Sequence, residues 1–232
     1  MKRALVMQDS APRGKPLRVV HVAAAMLAVA MTAGCAGNLL RSDAPVPDTF
    51  RLTSAPSAAV ADVTALPLAV VVQRPRATAA LDTDRIAISA AGNRFDYYSA
   101  VLWAEPAPQM VQQQLVNALA ATGQFGGGVF ASPARVPAEL SLDVELRRFE
   151  AVTTGADAAS SSAAPVVHVQ VQASLIDTRR SVRVTSFVVE AAVPANENRL
   201  SAVIAAFERA NAQVMREVGA KVQAAVVALP KQ

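Results

Sequence analysis

The chain has 232 residues, 53% of them hydrophobic, 17% charged and 4% aromatic, with a formal net charge of +4 and one cysteine. Five of its 22 Lys and Arg and one of its 18 Asp and Glu precede Cys35, leaving 17 of each and no net charge in the remainder, so the basic excess of a nucleic-acid binder is missing. One cysteine excludes an intramolecular disulfide, and His168, the one histidine after residue 34, leaves ordinary zinc ligation short of ligands.

Residues 1–34 have the three parts of a secretory signal peptide. Lys2, Arg3, Arg13, Lys15 and Arg18 make a basic leader, VVHVAAAMLAVAM (Val19 to Met31) an apolar run, and TAGC a small-residue end. The apolar run has 13 residues, short of the roughly 20 that a membrane-spanning helix needs. Small residues ending in Gly34-Cys35 resemble the lipobox of bacterial lipoproteins, where the cysteine is acylated and becomes the first mature residue. The alternatives are a plain signal peptide with a free thiol downstream, or an unusually placed buried cysteine. Acylation fits better, because Cys35 sits between an apolar and a proline-rich run, outside every element expected to build a core. Several acyl chains on one cysteine anchor stably, where a single chain holds only marginally.

Residues 35–47 read as the lipidated cysteine and a flexible tether, with Pro45 and Pro47 among small residues. From Ala36 to Asp48 the extended chain spans at most about 40 Å. The body then runs from 48 to 232. TFRL (Thr49 to Leu52) has the makings of a short strand, and LPLAVVVQ (Leu66 to Gln73) is an apolar run of strand length. RIAIS and RFDYYS flank Gly92-Asn93, a hairpin signal. Pro106 suits the first turn of a helix and Gly123 its end; Val111, Leu115, Ala118, Leu119 and Thr122 share one face, with Gln112, Gln113 and Asn117 elsewhere.

After Gly126-Gly127-Gly128, read as a flexible turn, come three alternating stretches. Leu140, Leu142, Val144 and Leu146 point one way in the first, and Val167, Val169, Val171, Ala173 and Leu175 in the second; the third, VRVTSFVVEAAV, ends at Val193. Alternation of this kind belongs to a sheet with one wet face. Thr153 to Ala164 between the first two is a low-complexity loop, expected to be mobile. Asn196 or Asn198 is placed to cap a long helix from about Arg199 to Val227, with Leu200, Val203, Ile204, Phe207, Val214, Val218 and Val222 as its apolar stripe. The order predicts an α+β fold: a single mixed or antiparallel sheet with two helices packed on one face, preceded by the signal peptide and tether.

Catalytic, cofactor and metal residues are all expected to be absent. His168 shares the polar side of its strand with Gln170 and Gln172, and Asp82 and Asp84 read as turn residues beside Arg85. Arg147-Arg148 read as strand-edge charges, and Arg179-Arg180 as charges at a hairpin tip. No GxSxG elbow, phosphate-binding loop or dinucleotide fingerprint occurs. Tyr97, Tyr98 and Trp103 form the densest aromatic cluster. It serves either as packing between helix and sheet or as a partner contact, since Trp and Tyr are enriched at binding hot spots.

LDTDRIAI, GNRFDYYSAVLWAEP and the following helix, Leu81 to Leu119, stand in an order that resembles the ABC-type transport auxiliary lipoproteins, the family of the intermembrane transport lipoproteins. Cys35, FRL after the tether, the SLIDTRRSVRV hairpin and the terminal helix fall in matching order, so the resemblance covers most of 48–228. It implies a non-enzymatic, cofactor-free lipoprotein, held at a membrane by acylated Cys35, that docks to MCE-domain and transporter proteins moving lipids or other hydrophobic molecules. Ala36, where inner-membrane lipoproteins commonly carry aspartate, favours the periplasmic face of the outer membrane. Self-association into a homo-oligomer stays open. So do two other functions, a periplasmic lipid or solute carrier and an outer-membrane assembly lipoprotein.

Overall fold

A computed structural model describes residues 46–53, 64–90, 94–153 and 163–229. Cys35, the signal peptide, most of the tether, the Gly92-Asn93 turn and nearly all of the low-complexity loop lie outside the described residues. Those described form nine strands and two helices. They are β1 (Asp48–Phe50), β2 (Ala69–Val72), β3 (Arg76–Ala77), β4 (Arg85–Ala90), β5 (Arg94–Trp103), α1 (Ala107–Ala121), β6 (Gly128–Ala131), β7 (Leu140–Val152), β8 (Val166–Asp177), β9 (Val182–Pro194) and α2 (Leu200–Val227).

The single mixed sheet is organised by β7. Along one side it pairs antiparallel with β8 from Leu140 to Val152. Along the other it receives three parallel strands in series: β2 at Leu140–Leu142, β3 at Glu145–Leu146 and β4 at Glu150–Val152. Beyond these, β6 extends β2, β5 extends β4 and β1 extends β5. On the other side β9 pairs with β8 and ends the sheet, which is not closed. The pair Arg147-Arg148, read as strand-edge charges, therefore lies on a central strand.

Parity sets the core. Val167, Val169, Val171, Ala173 and Leu175 of β8 are all buried, as their alternation predicts. In β7 the alternation holds from Leu140 to Leu146. A register shift between Leu146 and Arg148 then reverses it, so Phe149 and Ala151 are the next buried residues. Each fully buried Val, Leu or Phe stabilises the fold by about 1.5–3 kcal/mol, and α2 lays Val203, Phe207, Val214, Val218 and Val222 on this face. Its N-cap is Arg199, neither Asn196 nor Asn198. Arg199 is extended, and its carbonyl accepts the Val203 N–H at 3.0 Å.

Helix α1 follows Pro106 and ends before Gly123, whose φ of +67° is a conformation that glycine adopts without strain. Its stripe of Val111, Leu115 and Leu119 is buried as expected, yet Gln112 is buried too. The Gln112 side-chain amide donates to the carbonyls of Val72 (2.9 Å) and Ser132 (3.1 Å), tying the helix to the ends of β2 and β6. The glycine run 126–128 is packed as well. Gly126 and Gly127 N–H groups donate to Leu66 and Leu68 carbonyls, and a Cβ on Gly127 would lie 2.7 Å from the Ala69 nitrogen. The residues read as a flexible turn are where two backbones meet too closely for side chains.

Candidate partner-contact surfaces

β5 carries the three aromatics singled out in the sequence. Between Tyr97 and Leu102 it bulges: two steps on β4, from Arg85 to Ala87, are matched by five on β5, with Ala100 at φ +58°. Trp103 beyond the bulge is 2% exposed and meets Phe149 and Phe207 at centroid distances of 5.7 and 5.2 Å, so its position is that of a core residue. Tyr97 is half-buried. Its hydroxyl donates to the Ala80 carbonyl at 3.0 Å, and the Arg85 guanidinium lies 3.9 Å from its ring centre. Tyr98 is also half-buried, but its hydroxyl is enclosed without a protein hydrogen-bond partner, and desolvation pushes its pKa up to about 12. On β5 the surface available to a partner is thus Tyr97 with the exposed Phe95, 5.5 Å apart edge to face, and not Trp103.

The wet face carries a polar ladder across three strands. Arg148 on β7 donates to Glu150 (2.9 Å), and its Nη1 lies 3.0 Å from His168 Nδ1 on β8. The same imidazole nitrogen lies 3.3 Å from Glu190 Oε1 on β9, and one tautomer serves one of these contacts at a time. The His168 contact, then a 2.8 Å hydrogen bond from Gln170, hold the Glu190 carboxyl below its usual range. A histidine so occupied is a cross-strand support. Asp82 and Asp84 do not form a carboxylate pair; Asp82 takes both Arg74 guanidinium nitrogens, at 2.6 and 3.2 Å, and is held below the usual carboxylate range by that hydrogen bond. Among the described residues no three His, Cys, Asp or Glu side chains are grouped to hold a metal, and no helix is long and apolar enough to cross a membrane.

Two surface grooves flank α2. One of about 590 Å³ has Val193, Ala205 and Ala212 as its apolar lining with Glu208, Arg209 and Arg216 around them. Thr53, three residues after the end of β1, donates its hydroxyl to Glu208 Oε1 at 2.7 Å and so closes one end of this groove. The other, about 410 Å³, lies between the β8–β9 hairpin and the end of α2, lined by Asp177, Arg180, Val182, Val184, Ala225 and Leu229.

The model of a known family, described as the ABC-type transport auxiliary lipoprotein component, matches residues 50–219. The chain belongs to that family. It is accordingly an auxiliary lipoprotein of transport and a protein of the cell envelope, and the family is not one of enzymes. A crystal structure of a Xanthomonas campestris protein is similar to this auxiliary lipoprotein with a TM-score of 0.68 at 23% identity, covering 77% of this chain and 96% of that one. A second crystal structure, of an uncharacterised protein, gives 0.57 at 11% identity, covering 76% and 99%. At those identities both attest the fold. No curated protein matches the chain.

The auxiliary lipoprotein's matched region begins at Phe50, inside β1. β1 is hydrogen-bonded into the sheet beside β5, and the Ala104 N–H donates to the Phe50 carbonyl at 2.6 Å. Periodicity could place His168 on the wet face, but its partners Arg148 and Glu190 come from other strands, and no local pattern announces them. Strand register supplies that signal.

Proposed function

We propose that this chain is the docking subunit of an MCE-type transport system that moves lipids or other hydrophobic solutes between membranes, and that it turns over no substrate. Cys35 carries the acyl chains, and Ala36 after it favours the periplasmic face of the outer membrane. The observation that carries the reading is how the tether joins the body. Thirteen residues after Cys35 the chain is already strand β1 of the main sheet, so the anchor holds a rigid body within about 40 Å of its membrane. The exposed aromatic pair Phe95 and Tyr97 and the grooves beside α2 are candidate surfaces for MCE-domain or transporter partners.

The test is envelope integrity in a deletion strain, read as resistance to detergent. The wild-type gene restores the barrier, and Cys35→Ser, with the acylation site removed, does not. A deletion strain with a normal barrier, or full rescue by Cys35→Ser, contradicts the anchored docking role. Lipid co-purifying with the body in stoichiometric amount would support a carrier instead.

A further inference from the structure

The strand pairings give the body a direction. β1 runs parallel to β5, β5 antiparallel to β4, and β4 parallel to β7, so β1 and β7 run opposite ways. The chain therefore enters the sheet from the end where β7 finishes at Val152. The β8–β9 hairpin, with Asp177 opposite Leu140 at the start of β7, turns at the other end. That far end carries the groove of about 410 Å³ between the hairpin and the end of α2. Its apolar lining is Val182, Val184, Ala225 and Leu229, and Val182 is 55% exposed. Around it the hairpin sets Arg179, Arg180 and Arg183, all exposed. The acid of the turn, Asp177, is buried and committed: its Oδ1 accepts the Arg180 N–H at 3.0 Å, and its Oδ2 lies 3.7 Å from Arg180 Nη1. Among the described residues Arg183 has no ion pair, and Arg179 acts on Glu139 only at a distance. On the helix side Lys221 is the one charged residue between Glu217 and Leu229, and those two charges pair at 3.5 Å.

We propose that this groove takes a short acidic and apolar segment of the transporter partner. Apolar side chains of the segment sit on Val182, Val184, Ala225 and Leu229, and its carboxylates face Arg179, Arg180 and Arg183. The inference rests on the docking role proposed above and names the surface and the chemistry of that contact. Charge selects the partner. Three guanidinium groups surround the groove with no free carboxylate beside them, and the C-terminus of α2 returns only about half a negative charge. Such a surface draws acids and repels bases. The half-exposed valine in an apolar hollow adds a seat for side chains that gain by leaving water. Direction selects a protein over the anchoring membrane. An anchor upstream of β1 is attached at the entry end of the sheet, so the hairpin end is the one that an assembly on the far side meets first. The groove beside Thr53 is a poorer seat for the same segment, because Glu208 stands among its arginines and Arg209 donates to the Pro194 carbonyl at 3.1 Å.

The full lipid-anchored chain in intact envelopes tests this, with a photoreactive residue at Val182 and, for comparison, at Phe95. From Val182 the chain should capture an MCE-domain or transporter component, through a peptide in which Asp or Glu flanks apolar residues. Arg179→Glu with Arg183→Glu, both at exposed positions outside the core, should lower that yield about tenfold, because like charges facing each other across an interface are strongly disfavoured. Arg179→Lys with Arg183→Lys should keep it, and the purified proteins should share one circular dichroism spectrum. The proposal is overturned if the transporter is captured from Phe95 but not from Val182, if charge reversal leaves the yield unchanged, or if the captured peptide lacks acidic residues. Lipid, or a second copy of this chain, as the sole product at Val182 also overturns it. The docking role stands wherever any position captures a transporter component, and it falls together with this proposal if Val182, Phe95 and the groove beside Thr53 capture none.

Discussion

At the scale of single residues, four buried side-chain polar atoms among the described residues lack a protein hydrogen-bond partner, and two of them, the Tyr98 hydroxyl and the Trp103 indole N–H, belong to aromatics of β5. An unsatisfied buried group costs about 1–3 kcal/mol, so Tyr98→Phe should leave stability equal or raise it by up to about that amount, read as the urea midpoint at pH 7. The same residue gives a pH signature. Its folded pKa of about 12 lies above the unfolded value near 10, so its contribution is complete below pH 10 and is lost as pH rises toward 12. Stability should fall through that window, and the fall should be smaller in Tyr98→Phe; an identical fall in both proteins would contradict the assignment. Trp103→Ala empties the space between Phe149 and Phe207 and should cost about 3–5 kcal/mol. A loss below 1 kcal/mol, with partner capture abolished, would make Trp103 a contact residue.

At the scale of elements the glycine run is the sharpest test. Gly127→Ala puts a methyl 2.7 Å from backbone atoms of Leu68 and Ala69, so β2 or β6 must shift, at a cost of about 1–3 kcal/mol or more. Unchanged thermal unfolding would show that the two segments do not meet there. Much of this level was legible beforehand. The alternation in β8 gave its buried residues one by one, and the stripe of α2 gave the helix that covers them. What escaped the sequence depends on neighbours far along the chain. Gln112 lies beside the apolar stripe of α1 and looks solvated until Val72 and Ser132 bring carbonyls to it. Phe149 breaks the parity of β7 because of a bulge that no local residue signals. The glycines looked loose because nothing in their own segment shows the backbone of Leu66–Ala69 against them. The candidate contact surface was legible only in part: the aromatic cluster was found, but pairing and burial divide it between Trp103 in the core and Tyr97 with Phe95 outside.

At the scale of the whole molecule, a body of balanced charge is held by one long sheet under two helices and joined to its tether through β1. Those features suit a rigid adaptor kept near a membrane, and membership of the transport auxiliary lipoproteins gives the adaptor its setting. The central claim is that the body docks a transporter. Its most direct measurement is photo-cross-linking in intact envelopes, with the photoreactive residue placed at Phe95 on the exposed part of β5, followed by identification of the captured proteins. The account predicts covalent capture of an MCE-domain protein or its transporter partner by the wild type, and loss of that capture in Cys35→Ser. A membrane-anchored, folded wild type that captures neither, from this position or from either groove beside α2, would contradict it.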